Sequence, residues 1–182
     1  ERARPAHDGN PARRLNFSTT ITATSRAVAF ARFTHALAAK TFADFPADKA
    51  LFQPSPTDNH MLWHMGHLAV NYDWFASAID GKPSVASKAD YERFGMGSKP
   101  VSDPATYPSL PEVRRLYDTA WQRFIAAAES LSEADATKPA CVESHGFLSD
   151  RLDAVNKAAW HDGWHAGQVS GLRKAIGLKG VL

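Results

Sequence analysis

Ala154-Val155-Asn156-Lys157-Ala158-Ala159-Trp160-His161-Asp162-Gly163-Trp164-His165-Ala166-Gly167-Gln168-Val169, continuing through Leu172 to Ile176, is the stretch that decides the fold. Ala154, Ala158, His161, His165, Val169, Leu172 and Ile176 recur at helical spacing, which predicts a helix over residues 149–176. Gly177 ends it, and Arg173 and Lys174 suit the negative end of its dipole. His161 and His165 stand at i, i+4, so their Cβ atoms lie ~6 Å apart on one face. That face is otherwise Ala, Val, Leu and Ile, so both imidazoles point into the core. Two buried imidazoles without partners are costly, and one cation at ~2.0–2.1 Å from each nitrogen removes the cost.

Three further segments have the same periodicity. In residues 18–41, Phe30, Phe33 and Leu37 mark the face expected to be buried. Residues 58–79 carry His60, Trp63, His67, Val70, Trp74 and Ala78, with Thr57 or Asp58 as the expected cap and Gly81 as the stop. Ser109-Leu110-Pro111-Glu112 is a capping box opening a helix striped by Val113, Leu116, Ala120, Phe124, Ala127 and Leu131. No strand periodicity competes. The prediction is an all-α domain, a four-helix bundle over residues 17–182, preceded by a mobile leader over residues 1–16. Residues 80–108 form a connection long enough to cross the bundle, which would leave its second and third helices parallel.

The second helix supplies the complement to the histidine pair. His67 is mid-stripe, with His64 and His60 three and seven places before it. One histidine from this helix and two from the last make a three-imidazole site with a coordination position left open, as catalytic metal sites have. Other chemistries find less support. The His161–His165 spacing matches that of zinc proteases, but Asp162 stands where their glutamate base would be. None of the six Glu residues has a His three places on, which excludes a di-iron bundle of paired E-x-x-H motifs. There is no G-x-S-x-G, G-x-G-x-x-G or P-loop, and the lone Cys141 forms no intrachain disulfide. Hydrophobic residues make up 44% of the 182, yet no stretch is long and apolar enough to span a membrane. The net charge of +2 is carried entirely by residues 1–16, so the body offers no basic footprint for nucleic acid.

Asn59-His60-Met61-Leu62-Trp63-His64-Met65-Gly66-His67-Leu68 resembles the W-x-x-x-H-hydrophobic motif of DinB-like proteins. His161-Asp162-Gly163-Trp164-His165-Ala166-Gly167-Gln168-Val169, extended by Leu172-Arg173, resembles their H-x-x-x-H-x-G-Q-hydrophobic motif, and Tyr107-Pro108-Ser109-Leu110 is similar to their approach to the third helix. The resemblance implies an up-down-down-up bundle and a divalent metal held by His67, His161 and His165; His60 and His64 do not match a ligand position. Relatives in that family include thiol-dependent S-transferases, a mycothiol-dependent maleylpyruvate isomerase and the metal-holding domain of sulfoxide synthases that make ergothioneine.

The leading functional expectation is a metal-dependent enzyme of the thiol S-transferase or isomerase type, acting on a small electrophile. The alternatives are a hydrolase using metal-bound water and a non-catalytic metal-binding or ligand-binding bundle. Three imidazoles suit zinc, nickel or iron, and copper as well; the thiol would be of low molecular weight. His64 and Asp162 are the candidates for proton transfer, and Trp63 and Trp164 for lining a pocket. A cytoplasmic protein with a small-molecule substrate, binding neither nucleic acid nor membrane, is expected, and a homodimer is compatible with this. Free imidazole titrates near ~6.5, so proton competition is expected to release the metal below about pH 6.

Overall fold

The computed structural model describes residues 21–181, and the expected leader lies outside them. Its helices are α1 (Ala23–Ala43), α2 (Met61–Asp80), α3 (Lys88–Phe94), α4 (Leu110–Ser130), α5 (Glu133–Ala136) and α6 (Arg151–Ala175), with 3-10 turns at Ala47–Lys49 and Pro104–Thr106. There is no strand among the described residues. α1, α2, α4 and α6 are the four long helices of the bundle.

Local signals set most of the ends. Asp150 caps α6 by accepting the Asp153 N–H at 2.8 Å. At α4, Glu112 reaches back to the Ser109 N–H at 2.8 Å and accepts the Ser109 hydroxyl at 2.5 Å. Gly81 closes α2 in the left-handed conformation, at φ 70°. The start of α2 departs from expectation. Its cap is His60, whose Nδ1 accepts the Trp63 N–H at 3.0 Å, and neither Thr57 nor Asp58 takes that place.

Contacts at matching depths fix the direction of each helix. Thr34 of α1 meets Asp162 of α6 and Thr41 meets Arg173, so these two helices run parallel. His64 of α2 meets His165 of α6, whereas Tyr72, two turns on, meets Asp162, so α2 and α6 are antiparallel. Tyr72 packs on Tyr117, Trp121 and Phe124 of α4, and Ser77 accepts from Arg123, so α2 and α4 are parallel. The bundle is up-down-down-up. The long connection between α2 and α4 carries α3, and it is tied down by Asp73. That fully buried carboxylate accepts the backbone N–H groups of Val85 and Ala86 and hydroxyls from Ser84 and Tyr91, and Arg123 balances its charge at 3.1 Å.

Two faces differ from the sequence prediction. α1 buries Thr24, Ala27, Ala31, Thr34 and Ala38, while Phe30 and Phe33 stand 52% and 59% exposed and Leu37 is half-buried. Small residues at the α1–α6 contact let the two backbones approach closely, so the bulky positions turn outward. α2 has no stripe at all, since seventeen of its residues are buried against α3, α4 and α6.

One close approach joins the crossover to the site. Phe94, at the end of α3, is fully buried over Gly66, and a Cβ at Gly66 would lie 2.4 Å from its ring. Gly66→Ala is therefore expected to destabilise the fold by about 1–3 kcal/mol in urea denaturation. Gly171→Ala, where an added Cβ meets nothing within 4 Å, should be neutral or stabilising by up to about 1 kcal/mol.

Candidate metal centre

His67, His161 and His165 each direct a ring nitrogen to one point between α2 and α6, and the three atoms lie within 4.8 Å of one another. The opposite nitrogens decide which lone pairs are free. His67 Nδ1–H donates to the Phe94 carbonyl at 2.6 Å, which leaves Nε2 as the acceptor. The Asn71 amide, 3.3 Å from that Nε2 and 2.7 Å from the His67 carbonyl, is consistent with this tautomer. The Trp63 indole stacks on the His67 ring at 4.4 Å and 12° and is itself held by donating Nε1–H to Ser98 at 2.8 Å. His165 is fixed from behind by His64, Nδ1 to Nδ1 at 2.9 Å, and its Nε2 lies 2.9 Å from His161 Nε2.

Burial sets the charge state of the cluster. It pushes His161 down to about 2 and His165 to about 3, with repulsion between the rings adding to the effect. His67 is lowered as well, and His64 well below its ordinary value, both mainly by burial. The rings are therefore neutral at physiological pH. Convergent imidazole lone pairs in an apolar interior are the donor set that a divalent ion such as zinc, nickel or iron takes, so the residues fit the ion. The rings fixed by Phe94 and His64 have the orienting partner that metal-bound histidines usually require.

A cleft of about 540 Å³ opens on one side of the cluster, with His67 and His161 in its wall. Trp74, Phe75, Phe147 and Trp160 supply much of the remaining surface. Neither Trp63 nor Trp164 belongs to it: Trp63 is buried against His67, and Trp164 is 57% exposed. The candidate proton carriers are also placed elsewhere. His64 lies behind His165 and borders a separate pocket with Asp58, Asn59 and Gln168. Asp162 is fully buried on the α1 side, accepting Tyr72 OH at 2.5 Å and Thr34 Oγ1 at 3.4 Å, and burial raises its pKa to about 8. Cys141 approaches the Ile79 carbonyl at 3.5 Å, outside the cleft.

A family model of the DinB superfamily matches residues 31–169. The chain belongs to the DinB superfamily. Its structure is similar to the crystal structure of a conserved Enterococcus faecalis protein, with a TM-score of 0.63 and 16% identity over 84% of this chain and 96% of the other. At that identity the likeness concerns the fold alone. No curated protein matches the chain. Within this superfamily fold, no helix among the described residues is long and apolar enough to cross a membrane.

Two outcomes follow from this geometry. His67→Ala, His161→Ala and His165→Ala should each lose most bound metal in elemental analysis of untagged protein, while exposed His145→Ala keeps it. His64→Phe, which removes the partner of His165, should weaken metal binding about tenfold to a hundredfold, with His64→Gln restoring part of it. The second outcome concerns acid. Folded-state pKa values depressed below ~6.5 contribute stability above pH ~6.5, and this is lost as pH falls toward about 3 and 2. The loss approaches about 1.4 kcal/mol per pH unit for each such group. The folded chain already keeps its ligands neutral, so the release expected from free imidazole near ~6.5 moves to lower pH. Between pH 7.5 and 5, melting temperatures of metal-loaded and chelator-treated protein should fall together, with the gap between them nearly constant. A closing gap over an unchanged chelator-treated curve would contradict this.

Proposed function

We propose that this bundle is a divalent-metal enzyme that adds a low-molecular-weight thiol to a small electrophile, by transfer or in the course of an isomerisation. The observation that carries the reading is the position of His67 and His161 in the wall of the 540 Å³ cleft. A metal that only stapled the helices would need no adjoining space. An ion held there supplies positive charge that lowers the pKa of a thiol brought beside it.

The chain's own groups do the rest. His67, His161 and His165, held neutral by burial, give the site no competing positive charge of its own. Phe94, Trp63 and His64 hold two of these rings in orientation before any ligand arrives. A substrate seated against the aromatic walls would displace water from the cleft, which strengthens the nucleophile. The thiol gives its proton to solvent, its sulfur forms the bond to the electrophilic carbon, and the displaced group leaves with its electron pair. In an isomerisation the same C–S bond forms and later breaks, returning the thiol.

Placement of the carboxylates favours a thiol over water as nucleophile. Beside an ion both a thiol, at ~8.5 when free, and water would be acidified; hydrolysis would in addition call on a general acid or base to reach the leaving group. Asp162 is sealed in the core, and the carboxylate bordering the cleft, Glu143, is exposed at its rim. The test is turnover of 1-chloro-2,4-dinitrobenzene and of monobromobimane by metal-loaded protein, with and without a panel of low-molecular-weight thiols. Turnover should require a thiol and fall about a hundredfold in His161→Ala. Ester hydrolysis without thiol would instead support the hydrolase reading, and no turnover with only a lowered melting temperature on metal removal would support a structural ion.

A further inference from the structure

The cleft beside the metal centre gathers its walls from separate parts of the chain. Trp74 and Phe75 come from α2, Phe147 from the segment before α6, Trp160 from α6, and Met96 from the turn after α3. The rings support one another. Trp74 packs edge-on against Phe75 at 5.1 Å, and Phe147 lies 6.2 Å from Trp74 and 6.5 Å from Phe75. Trp160 faces the same space and is 52% exposed, so its ring has unsatisfied apolar surface.

The charges around this space are as informative as the rings. No Lys or Arg lines the cleft among the described residues. The cations near it in sequence are committed elsewhere. Lys157 is bound to Asp153 at 2.8 Å and to the Phe147 carbonyl, Arg93 lies 3.9 Å from Asp90, and Arg123 is tied to Asp73 and Asp80. The formal charge at the rim is Glu143, held ionised by the backbone N–H of His145 and by the nearby His145 ring. The polar groups within are neutral: the Asn71 amide, the Ser144 hydroxyl and Tyr91, whose burial pushes its phenol up to about 12. A carboxylate or phosphate on the part of a ligand lying beyond the metal would lose water here and find only cations already paired: Lys157, 4.6 Å from the Phe147 ring centroid, with Asp153, and the rim His145 with Glu143. An ammonium group would find ring faces and one exposed carboxylate, but the Lys157 ammonium already stands 4.6 Å from the Phe147 ring centroid and would repel it.

We infer that the electrophile accepted by this cleft is an uncharged aromatic molecule, seated between Trp74, Phe75, Phe147 and Trp160 with its reactive carbon toward His67 and His161. Offset or edge-on packing on several rings recognises a flat apolar ligand, and the Asn71 amide oxygen and the Ser144 hydroxyl, both in the cleft wall, can take one or two neutral hydrogen-bonding substituents. The inference rests on the thiol-transfer reading for the word electrophile, but not for the class of molecule that binds.

Binding without any thiol therefore tests it separately from turnover. The probes are 1-naphthol, 1-naphthoate and 1-naphthylmethylammonium, titrated into the full chain as purified, with metal content recorded, by calorimetry and by quenching of tryptophan fluorescence. Naphthol should bind about tenfold more tightly than either charged probe. Trp74→Ala and Phe147→Ala should each weaken naphthol about fivefold or more without changing metal content. Met96→Lys, at a side chain that is almost wholly exposed, should raise naphthoate affinity relative to naphthol. Naphthoate binding as tightly as naphthol, naphthol binding unaffected by both aromatic truncations, or no binding of any probe at millimolar concentration would each overturn the inference. A thiol-dependent assay that fails while naphthol binds selectively would refute the reaction and leave the ligand class standing.

Discussion

The hydrogen bond from His67 Nδ1 to the Phe94 carbonyl, 2.6 Å long, ties the long crossover to the metal centre. It exists because Gly66 leaves room for the Phe94 ring against α2, so that the end of α3 sits where its last carbonyl meets the imidazole. The bond fixes the tautomer of His67 and leaves Nε2 facing His161 and His165. Asp73 supports the same arrangement from the other end of the crossover, gathering Val85, Ala86, Ser84 and Tyr91 around a buried carboxylate. A connection of this length would otherwise have had many ways to lie. Here a buried charge and a buried ring fix it at two points, and the histidine between them is oriented as a consequence.

Most polar side chains in the interior are matched, with Thr24 Oγ1 and His60 Nε2 the exceptions among the described residues. Asp162 lies between His161 and His165 in sequence, yet it sits about 100° around α6 from His161 and meets Tyr72 instead of the cluster. Tyr72 in turn approaches His35 at 3.0 Å, and His35 stacks on Trp121 at 3.7 Å. Burial lowers His35 to about 4, so this second histidine is neutral as well. The network links α1, α2, α4 and α6 and gives the bundle a specific register, which an interior of alanine and leucine alone would define less sharply. On the adjoining face of α6, neutral imidazoles converge nitrogen to nitrogen, with His161 and His165 Nε2 2.9 Å apart, so their lone pairs can turn to one shared ion. That contrast is why the second group fits a cation and the first does not.

What could be read from the sequence was whatever local chemistry encodes. The Ser109–Glu112 box, the Gly81 and Gly177 stops and the i, i+4 histidine pair need only neighbours along one helix, and these features agree with the structure. The buried face of α1 is not legible from the size of its apolar residues, because a close helix contact selects Ala and Thr and expels Phe30 and Phe33. The stripe on α2 carried no information, since the helix is enclosed on nearly every side. His60 as a cap was missed because an imidazole can replace the usual short oxygen side chain only when its ring is turned inward. Phe94 left no signal as the partner of His67, because the group that acts is a backbone carbonyl. The cleft was illegible for a related reason: Trp74, Phe147 and Trp160 are far apart in sequence and meet only once α2, α6 and the segment before α6 have packed.

The central claim is that His67, His161 and His165 hold one divalent ion whose remaining coordination faces the aromatic cleft. X-ray anomalous scattering from crystals of untagged protein, collected on both sides of the absorption edge of the metal found in it, addresses this most directly. The account predicts one strong peak per chain, ~2.0–2.1 Å from the Nε2 atoms of all three histidines, with a water or small ligand on the side of Trp74 and Trp160. A peak bound through other residues, or an ion whose coordination is closed by protein on the cleft side, would contradict it.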